Sequence, residues 1–331
     1  MRKIKNILIT GITGSGGSFL AEYLIKNNKN LNVHGISRWH STSSKDNLTK
    51  IFSKVKLHEC DMNDLSSTFN VLKKIKPDTI FHFASHANVR ISFDSPISVI
   101  NNNINSTINL LEAIRLIKLD PIIQICSTSE VYGKVKKSDI PIKETNQLNP
   151  SSPYAVSKIA QDLLGLSYFH SYQFKVIRTR MFAYFNPRRT DLFATSFAKQ
   201  VAWIEKGFQK YLNHGNLESI RTLIDIEDAM RAYWLSVNYC KYGEAYNIGG
   251  NTTIKVGDFL QKLISLSNKE IVTKLNKDLL RPSDVTLQIP NVKKFKKVTG
   301  FVPKVKFEDS ILKLLDYWRE QADKKFFEMN L

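Results

Sequence analysis

Ile7-Leu8-Ile9-Thr10-Gly11-Ile12-Thr13-Gly14-Ser15-Gly16-Gly17 is the stretch that decides the fold. Its first three residues read as a short buried strand. Gly11, Gly14 and Gly17 then recur as GxxGxxG, and an amphipathic stretch through Leu20, Leu24 and Ile25 follows. Glycines so placed let a turn close tightly, let the backbone approach a pyrophosphate and let the helix pack on the strand, with the phosphate at the positive helix end. A glycine triplet alone is weak evidence. Between a first strand and a first helix it marks a dinucleotide-binding turn, with Thr13, Ser15 and Gly16 among its residues.

Working outward, further strands fit Val33 to Ser37, Lys56 to Glu59, Thr79 to Ala84, Ile122 to Ile125 and Phe174 to Thr179. Between them lie helical spacings, clearest at Val99, Ile100, Ile104, Ile108, Leu111 and Ile114. Ser152-Pro153 opens another helix, which runs to about Tyr172, with proline at its favoured first turn. Such alternation predicts an α/β fold, a Rossmann-type doubly wound parallel sheet with right-handed crossovers. After Met181 the pattern breaks into short helices (193–204, 226–237, 256–267, 307–319) separated by loops with Pro187, Pro282, Pro290 and Pro303. The expected division is a dinucleotide-binding domain over residues 1–180, with 223–248 returning to its sheet, and a smaller C-terminal α/β lobe over 181–331 that closes on the ligand cleft.

Composition narrows the class. At roughly 150 residues per domain, 331 residues suggest about two domains. The hydrophobic share of 42% argues against disorder, and no apolar run nears the roughly 18 to 20 residues that would cross a bilayer. The N-terminus lacks the apolar run and small-residue site of a signal peptide, so the expectation is a cytoplasmic protein. Cys60, Cys126 and Cys240 are odd in number and far apart, and the seven histidines show no ligand spacing, so neither a disulfide framework nor a metal site is expected. The net charge of +18 is spread along the chain; Lys293-Lys294-Phe295-Lys296-Lys297 reads as a solvated helix face. No nucleic-acid or membrane partner is expected, and the field favours an anionic substrate.

The second strand ends Gly35-Ile36-Ser37-Arg38-Trp39-His40-Ser41. No carboxylate is there to bind ribose hydroxyls, and Arg38 stands where a 2′-phosphate would want a cation, so NADP is favoured over NAD. Asp61, after the third strand, reads as an adenine contact or a turn and helix cap. Tyr154-Ala155-Val156-Ser157-Lys158 puts a phenol and an ammonium on one helix face, where the ammonium would lower the phenol's pKa and ready it to take a proton. Thr128, near the end of the fifth strand, could bind the substrate oxygen beside Tyr154, and Glu130 could act as a second acid/base.

Gly11-x-x-Gly14-x-x-Gly17, Ser127-Thr128-Ser129-Glu130-Val131-Tyr132-Gly133 and Ser152-Pro153-Tyr154-Ala155-x-x-Lys158 together resemble the extended short-chain dehydrogenase/reductases that act on nucleotide sugars. Within them the chain is most similar to the GDP-mannose 4,6-dehydratases and related GDP-sugar dehydratases and reductases. The likeness continues through Asn186-Pro187-Arg188-Arg189, Gly215 to Arg221, Arg231 to Leu235, Tyr246 to Gly250 and Arg281 to Val285. It implies a redox-neutral dehydration of a GDP-sugar. Tyr154 takes the 4-hydroxyl proton while the C4 hydride moves to the nicotinamide, and Lys158 holds the cofactor ribose. Glu130 removes the C5 proton as water leaves C6, and the hydride returns to C6. The resemblance extends the cofactor cradle to Met62, Ala84 and Ser85. It assigns the substrate to Ser129, Asn186, Arg188, Lys199, Arg221, Arg281 and Asp284, with the two arginines Arg221 and Arg281 on the diphosphate.

The chain departs from the pattern at Ala183-Tyr184, where dehydratases commonly have Asn-His, at Ala87 in place of a serine, and at Trp39 in place of a second arginine. The first two leave room for GDP-N-acetylglucosamine or a GDP-heptose beside GDP-mannose. The third leaves a homodimer through the helices at 96–117 and 153–172 as the expectation, with a tetramer as the alternative. A GDP-4-keto-6-deoxy-sugar reductase and an epimerase stay open as alternative activities. From another class, a non-catalytic dinucleotide-binding regulator would explain the glycine turn but not Thr128, Tyr154 and Lys158 together.

Overall fold

A computed structural model describes residues 2–39 and 45–329; His40 and Ser41, which close the second-strand motif, lie outside them. From the N-terminus come β1 (Asn6–Thr10), α1 (Ser15–Asn27), β2 (Asn32–Ser37), β3 (Val55–Glu59), α2 (Leu65–Ile75) and β4 (Thr79–His82). A short α3 (Ile91–Asp94) precedes α4 (Pro96–Ile117), and β5 (Ile122–Thr128), α5 (Pro153–Tyr172) and β6 (Lys175–Met181) complete the regular alternation. Beyond it run α6 (Phe193–Glu205), β7 (Leu212–His214), β8 (Ile220–Leu223), α7 (Ile226–Tyr239), β9 (Ala245–Ile248) and β10 (Thr252–Lys255). The chain ends with α8 (Val256–Ile264), β11 (Thr273–Leu275), β12 (Leu287–Gln288), α9 (Lys293–Thr299) and α10 (Phe307–Met329).

Seven strands form one parallel sheet in the order β3-β2-β1-β4-β5-β6-β9. Strand order reverses between β1 and β4, and an open sheet of this kind opens a crevice at the carboxyl ends of those strands. On one face α1 and α7 bury Leu20, Leu24, Ala229 and Tyr233. On the other, α2 and α4 bury Leu72, Leu110, Leu111 and Ile114. The fold is the expected Rossmann-type doubly wound one. The segment around 223–248 divides: β9 pairs with β6, whereas β8 sits between β10 and β12 in a separate three-stranded sheet. A second core, with Phe197 and Val201 of α6, Phe259 and Leu263 of α8, and Ile311 and Leu315 of α10, lies beneath that small sheet.

Several boundaries move. The fourth strand stops at His82 instead of Ala84, because the Ala84 amide leaves the ladder to bond Thr10 Oγ1. The fifth runs on to Thr128, since β6 continues to pair with it through Met181. Among the helices, α8 stops at Ile264 and α10 continues to Met329. The lysine cluster of α9 is a surface face, as expected: Phe295 is buried beneath it and Lys294 pairs with Glu244.

The helix that carries Tyr154 and Lys158 is fixed at several points. Ser152 Oγ accepts the Ala155 amide at 3.1 Å as N-cap, and Pro153 occupies the first turn. Farther along, Asp162 is wholly buried and takes Arg178 at 2.7 Å and Arg180 at 2.9 Å, both from β6. Those two guanidiniums hold the Asp162 carboxyl below its usual range although burial alone would raise it.

Candidate active site

The crevice at the strand reversal is a cleft of about 380 Å³. At one end lies the glycine turn. Gly11 takes a φ of +67°, and a Cβ there would come within 2.9 Å of Ala84 Cα. A Cβ on Gly17 would lie 2.6 Å from the Gly11 carbonyl oxygen. Gly14, as N-cap of α1, has no side chain to occupy the first-turn amides, so they remain for an anion at the positive helix end. Ser85 Oγ is buried beside the cleft with no partner among the described residues. A bare helix end, a turn with no room for side chains and an unspent hydroxyl fit the pyrophosphate and ribose of a dinucleotide.

The middle of the cleft brings together Thr128, Ser129, Glu130, Tyr154 and Lys158. Thr128 and Ser129 stand where β5 ends, and Tyr154 and Lys158 one turn apart on α5. The Thr128 hydroxyl is within hydrogen-bonding reach of the Tyr154 phenol and favours its ionised form. Thr128 Oγ1 also accepts the Glu130 amide at 3.3 Å, and Glu130 Oε1 accepts from Gln288 Nε2 at 2.9 Å. Glu130 is therefore held in the cleft, not loose in solvent.

One electrostatic expectation needs correction. Burial pushes the Tyr154 phenol well above its ordinary value, and the largest opposing influence is the positive charge of Arg189, not Lys158. Lys158 Nζ is engaged elsewhere, donating to the Cys126 carbonyl at 2.5 Å and to Gln161 Oε1 at 2.6 Å. Arg189 is braced by Asp191 at 2.9 Å and by the Ala87 carbonyl at 2.5 Å.

The far end of the cleft belongs to the C-terminal half. Arg221, on β8, lies 3.9 Å from Asp284, and Arg281 3.8 Å from the same carboxylate. Asn216 and Ser219 donate to Asp284 at 2.7 and 3.2 Å, so one acid collects the groups that line this end. Burial lowers the pKa of Arg221, and two guanidiniums facing one cleft offer the paired donors that suit an anionic group such as a diphosphate.

Other expected site residues fall outside the lining. The Asn186 carboxamide oxygen accepts the Arg188 amide at 3.1 Å, a turn that sends successive side chains to opposite sides. Arg188 accordingly leaves the cleft to bond Ser18 at 2.9 Å and Glu22 at 2.6 Å and to cover the Phe19 ring. Asn186 is wholly buried as the turn's frame. Lys199 stacks over Trp203 at 4.2 Å and near Trp318 at 5.4 Å. Thr13 offers its carbonyl to Asn47, and Met62 is buried under α4, where its carbonyl takes Asn109. Ala84 lies against Gly11 and fixes the turn through its amide. Asp61 accepts the Asn63 amide at 3.0 Å, the turn-forming alternative. Arg38 is exposed past β2, with Nη2 3.3 Å from His86 Nε2.

The sequence reading missed Arg189, Tyr184, Tyr233 and Gln288, all of which line the cleft. The departure at Ala183-Tyr184 was a signal for one of them, since the position contributes a phenol to the cleft lining. Gln288 carried no local signal, since β12 reaches the cleft only by pairing with β8.

The profile of the family described as GDP-mannose 4,6 dehydratase matches residues 8–314. "GDP-mannose 4,6 dehydratase 1" of Arabidopsis thaliana is 30% identical, over 97% of this chain and 91% of that protein. Among solved structures, UDP-glucuronic acid 4-epimerase from Bacillus cereus, in complex with UDP-glucuronic acid and NAD, aligns with a TM-score of 0.82 at 26% identity, covering 96% of this chain and 99% of that one. RMD from Pseudomonas aeruginosa, complexed with NADPH, aligns at 0.81 with 22% identity, over 96% and 99% of the two chains, a likeness of fold. The match across nearly the whole chain, on a Rossmann sheet with Thr128, Glu130, Tyr154 and Lys158 gathered in one cleft, makes this chain a member of the GDP-mannose 4,6 dehydratase family.

Proposed function

We propose that the protein is a GDP-sugar 4,6-dehydratase that converts GDP-mannose or a related GDP-hexose or GDP-heptose to its 4-keto-6-deoxy form. The observation that carries this reading is the joint presence of Thr128, Glu130, Tyr154 and Lys158 in a cleft that ends in Arg221 and Arg281. The two arginines, gathered by Asp284, hold the nucleotide diphosphate and bring the sugar beneath Tyr154. A nicotinamide dinucleotide seated over the glycine turn supplies the hydride acceptor and donor. Thr128 orients the sugar 4-hydroxyl, and Tyr154 takes its proton. Once C4 is a ketone, the C5 proton is acidic, and Glu130, steadied by Gln288, removes it and protonates the departing C6 hydroxyl. The C4 hydride returns to C6 and C5 regains a proton, which balances the one that Tyr154 took from the 4-hydroxyl, so Tyr154 and Glu130 both end the cycle as they began.

The dinucleotide is proposed to be NADP, because Arg38 stands free of a carboxylate partner among the described residues at the end of β2 and no acidic residue replaces it. The residues through 180, joined by α7 and β9, are taken as the dinucleotide-binding unit, and the remainder as the nucleotide-sugar lobe. A homodimer through α4 and α5 is supported by their outward apolar side chains, Ile97, Leu116, Val156 and Leu163, each at least 43% exposed. No helix among the described residues is long and apolar enough to cross a membrane, and the three cysteines are free, which suits the proposed cytoplasmic location.

The decisive experiment incubates the protein with a panel of GDP- and UDP-sugars without added reductant and identifies products by mass and NMR. Many turnovers of a GDP-sugar to a 4-keto-6-deoxy product are expected. One reduced dinucleotide consumed per sugar would instead make it a reductase.

A further inference from the structure

The cleft lysine is held from behind by buried side chains that no step above uses. Gln161, one turn beyond Lys158 on α5, accepts from its Nζ at 2.6 Å. The Gln161 Nε2 donates to Thr107 Oγ1 at 2.6 Å and lies 3.3 Å from His82 Nε2. Thr107 Oγ1 stands 3.0 Å from His82 Nε2 and donates to the Asn103 carbonyl at 2.8 Å. On the other side of the ring, His82 Nδ1 meets Thr10 Oγ1 at 2.9 Å, and Thr10 Oγ1 accepts the Ala84 amide at 3.1 Å. Thr10, His82, Thr107, Gln161 and Lys158 are each 3% exposed or less, so water does not substitute for any of these partners.

Counting donors orders the chain. Thr107 spends its one hydroxyl proton on Asn103, so its oxygen accepts from Gln161. His82 closes the network, with Nε2 against Thr107 and Gln161 and Nδ1 against Thr10. Gln161 has one orientation: flipped, its amide N–H groups would face the ammonium, donor against donor. Of the three N–H bonds on Lys158, one goes to Cys126 and one to Gln161. A single N–H remains, on a side chain that lines the cleft.

We propose that Gln161 is the positioning residue of Lys158: locked by Thr107 and His82, it aims the last ammonium N–H at the dinucleotide, and through Thr10 it ties that lysine to the strand from which the glycine turn springs. This rests on the reading of the cleft as a nicotinamide dinucleotide site. The titratable groups that face Lys158 are His82 from β4, Cys126 from β5, Asp162 from its own helix and Arg189 from the loop after β6. None of them can take over the Gln161 acceptor: Asp162 is occupied by Arg178 and Arg180, and the Cys126 carbonyl is already used.

The test is calorimetric titration of the full-length protein with NADP⁺ and, in parallel, NAD⁺, from neutral to alkaline pH. Gln161→Met, which keeps length and removes the acceptor, is expected to weaken binding about ten-fold, the value of one hydrogen bond to a charged group. Its alkaline loss of binding is expected at lower pH than in the wild type, because the charged form of Lys158 has lost a stabilising acceptor. Gln161→Glu restores the acceptor and is expected to recover most of the affinity, which a merely structural role would not predict. Should Gln161→Met fail to fold, Thr107→Val loosens the same amide from behind and is expected to give a smaller shift in the same direction. Wild-type affinity and pH dependence in Gln161→Met, alongside lost binding in Lys158→Met, would overturn the assignment. A wild-type protein that binds neither dinucleotide would instead overturn the reading of the cleft itself.

Discussion

Replacing Arg189 with methionine should move the pH dependence of sugar oxidation without emptying the nucleotide end of the cleft. Tyr154 is only 6% exposed, so burial opposes its phenolate, and the Arg189 charge is the largest influence working the other way. A single neighbouring charge shifts a pKa by about 1–3 units where water is scarce. The Arg189 side chain keeps 20% of its surface, which argues for the lower part of that range, about one unit. At neutral pH the ionised fraction of Tyr154 should thus fall about ten-fold. The assay is single-turnover formation of reduced dinucleotide on mixing with GDP-sugar, followed across pH. The rising limb should extend about one unit higher, with wild-type rates regained at its top. Removing Arg189 also frees the Asp191 carboxylate, which would add to the shift, so Arg189→Met/Asp191→Asn isolates the cation's own share. An unchanged pH midpoint in the double variant would refute the reasoning and return the role to Lys158.

Four further outcomes are expected. Asp162→Asn leaves two buried guanidiniums under-compensated and should cost about 3–5 kcal/mol, read as a lowered urea midpoint; a wild-type midpoint would mean the cluster contributes nothing. Gly17→Ala should abolish dinucleotide binding while the fold survives, since its Cβ would sit 2.6 Å from the Gly11 carbonyl; calorimetry and circular dichroism check the two halves of that claim. Tyr154→Phe should block the first oxidation, whereas Glu130→Gln should allow it and stall elimination, which is visible in heavy water as protium retained at C5 where the wild type takes up deuterium. Acid should destabilise the protein through His82, whose pKa is pulled down to about 3 by burial, with the Lys158 charge second. The unfolded chain then binds the extra proton between about pH 6.5 and 3, so stability is full above that window and falls as pH drops through it, by about 1.4 kcal/mol per unit. Urea midpoints at two pH values, compared with His82→Gln, should show a shallower dependence in the variant.

What could be read in advance follows from how far apart in the chain the deciding contacts lie. The glycine turn, the first helix and the Tyr154–Lys158 spacing are local, set within one strand–turn–helix or one helical turn, and they stand where the residues put them. Arg188 and Arg189 were a different case. They are neighbours of the same chemistry, and a single hydrogen bond from the Arg188 amide to Asn186 decides which of them enters the cleft. Lys199 was misplaced because two tryptophans, one of them on α10, offer its ammonium a ring face instead. Gln161 was invisible because its role depends on Thr107 and His82, which arrive from α4 and β4.

The same distinction bears on substrate choice. The residues proposed to do the chemistry sit at the end of β5 and on α5, where the ladder and the helix pin them, and their spacing is legible for that reason. The other residues of the cleft, proposed to surround the sugar, come from segments that meet only in the folded chain: Ala87 after β4, Tyr184 and Arg189 after β6, and Gln288 on a two-residue strand. Three of these are already coupled, since the Ala87 carbonyl braces Arg189 and Arg189 faces Tyr184 as well as Tyr154. A change at position 184 therefore acts on Tyr154 through Arg189, in addition to reshaping the space for the sugar, whereas one at position 87 leaves the bracing carbonyl in place and changes the space alone. Ala87→Ser/Tyr184→His, which restores the common family residues, should alter the preference among GDP-sugars and the pH midpoint of oxidation together. A change in preference with the midpoint fixed would show that the two functions are separable and that Arg189 does not link them.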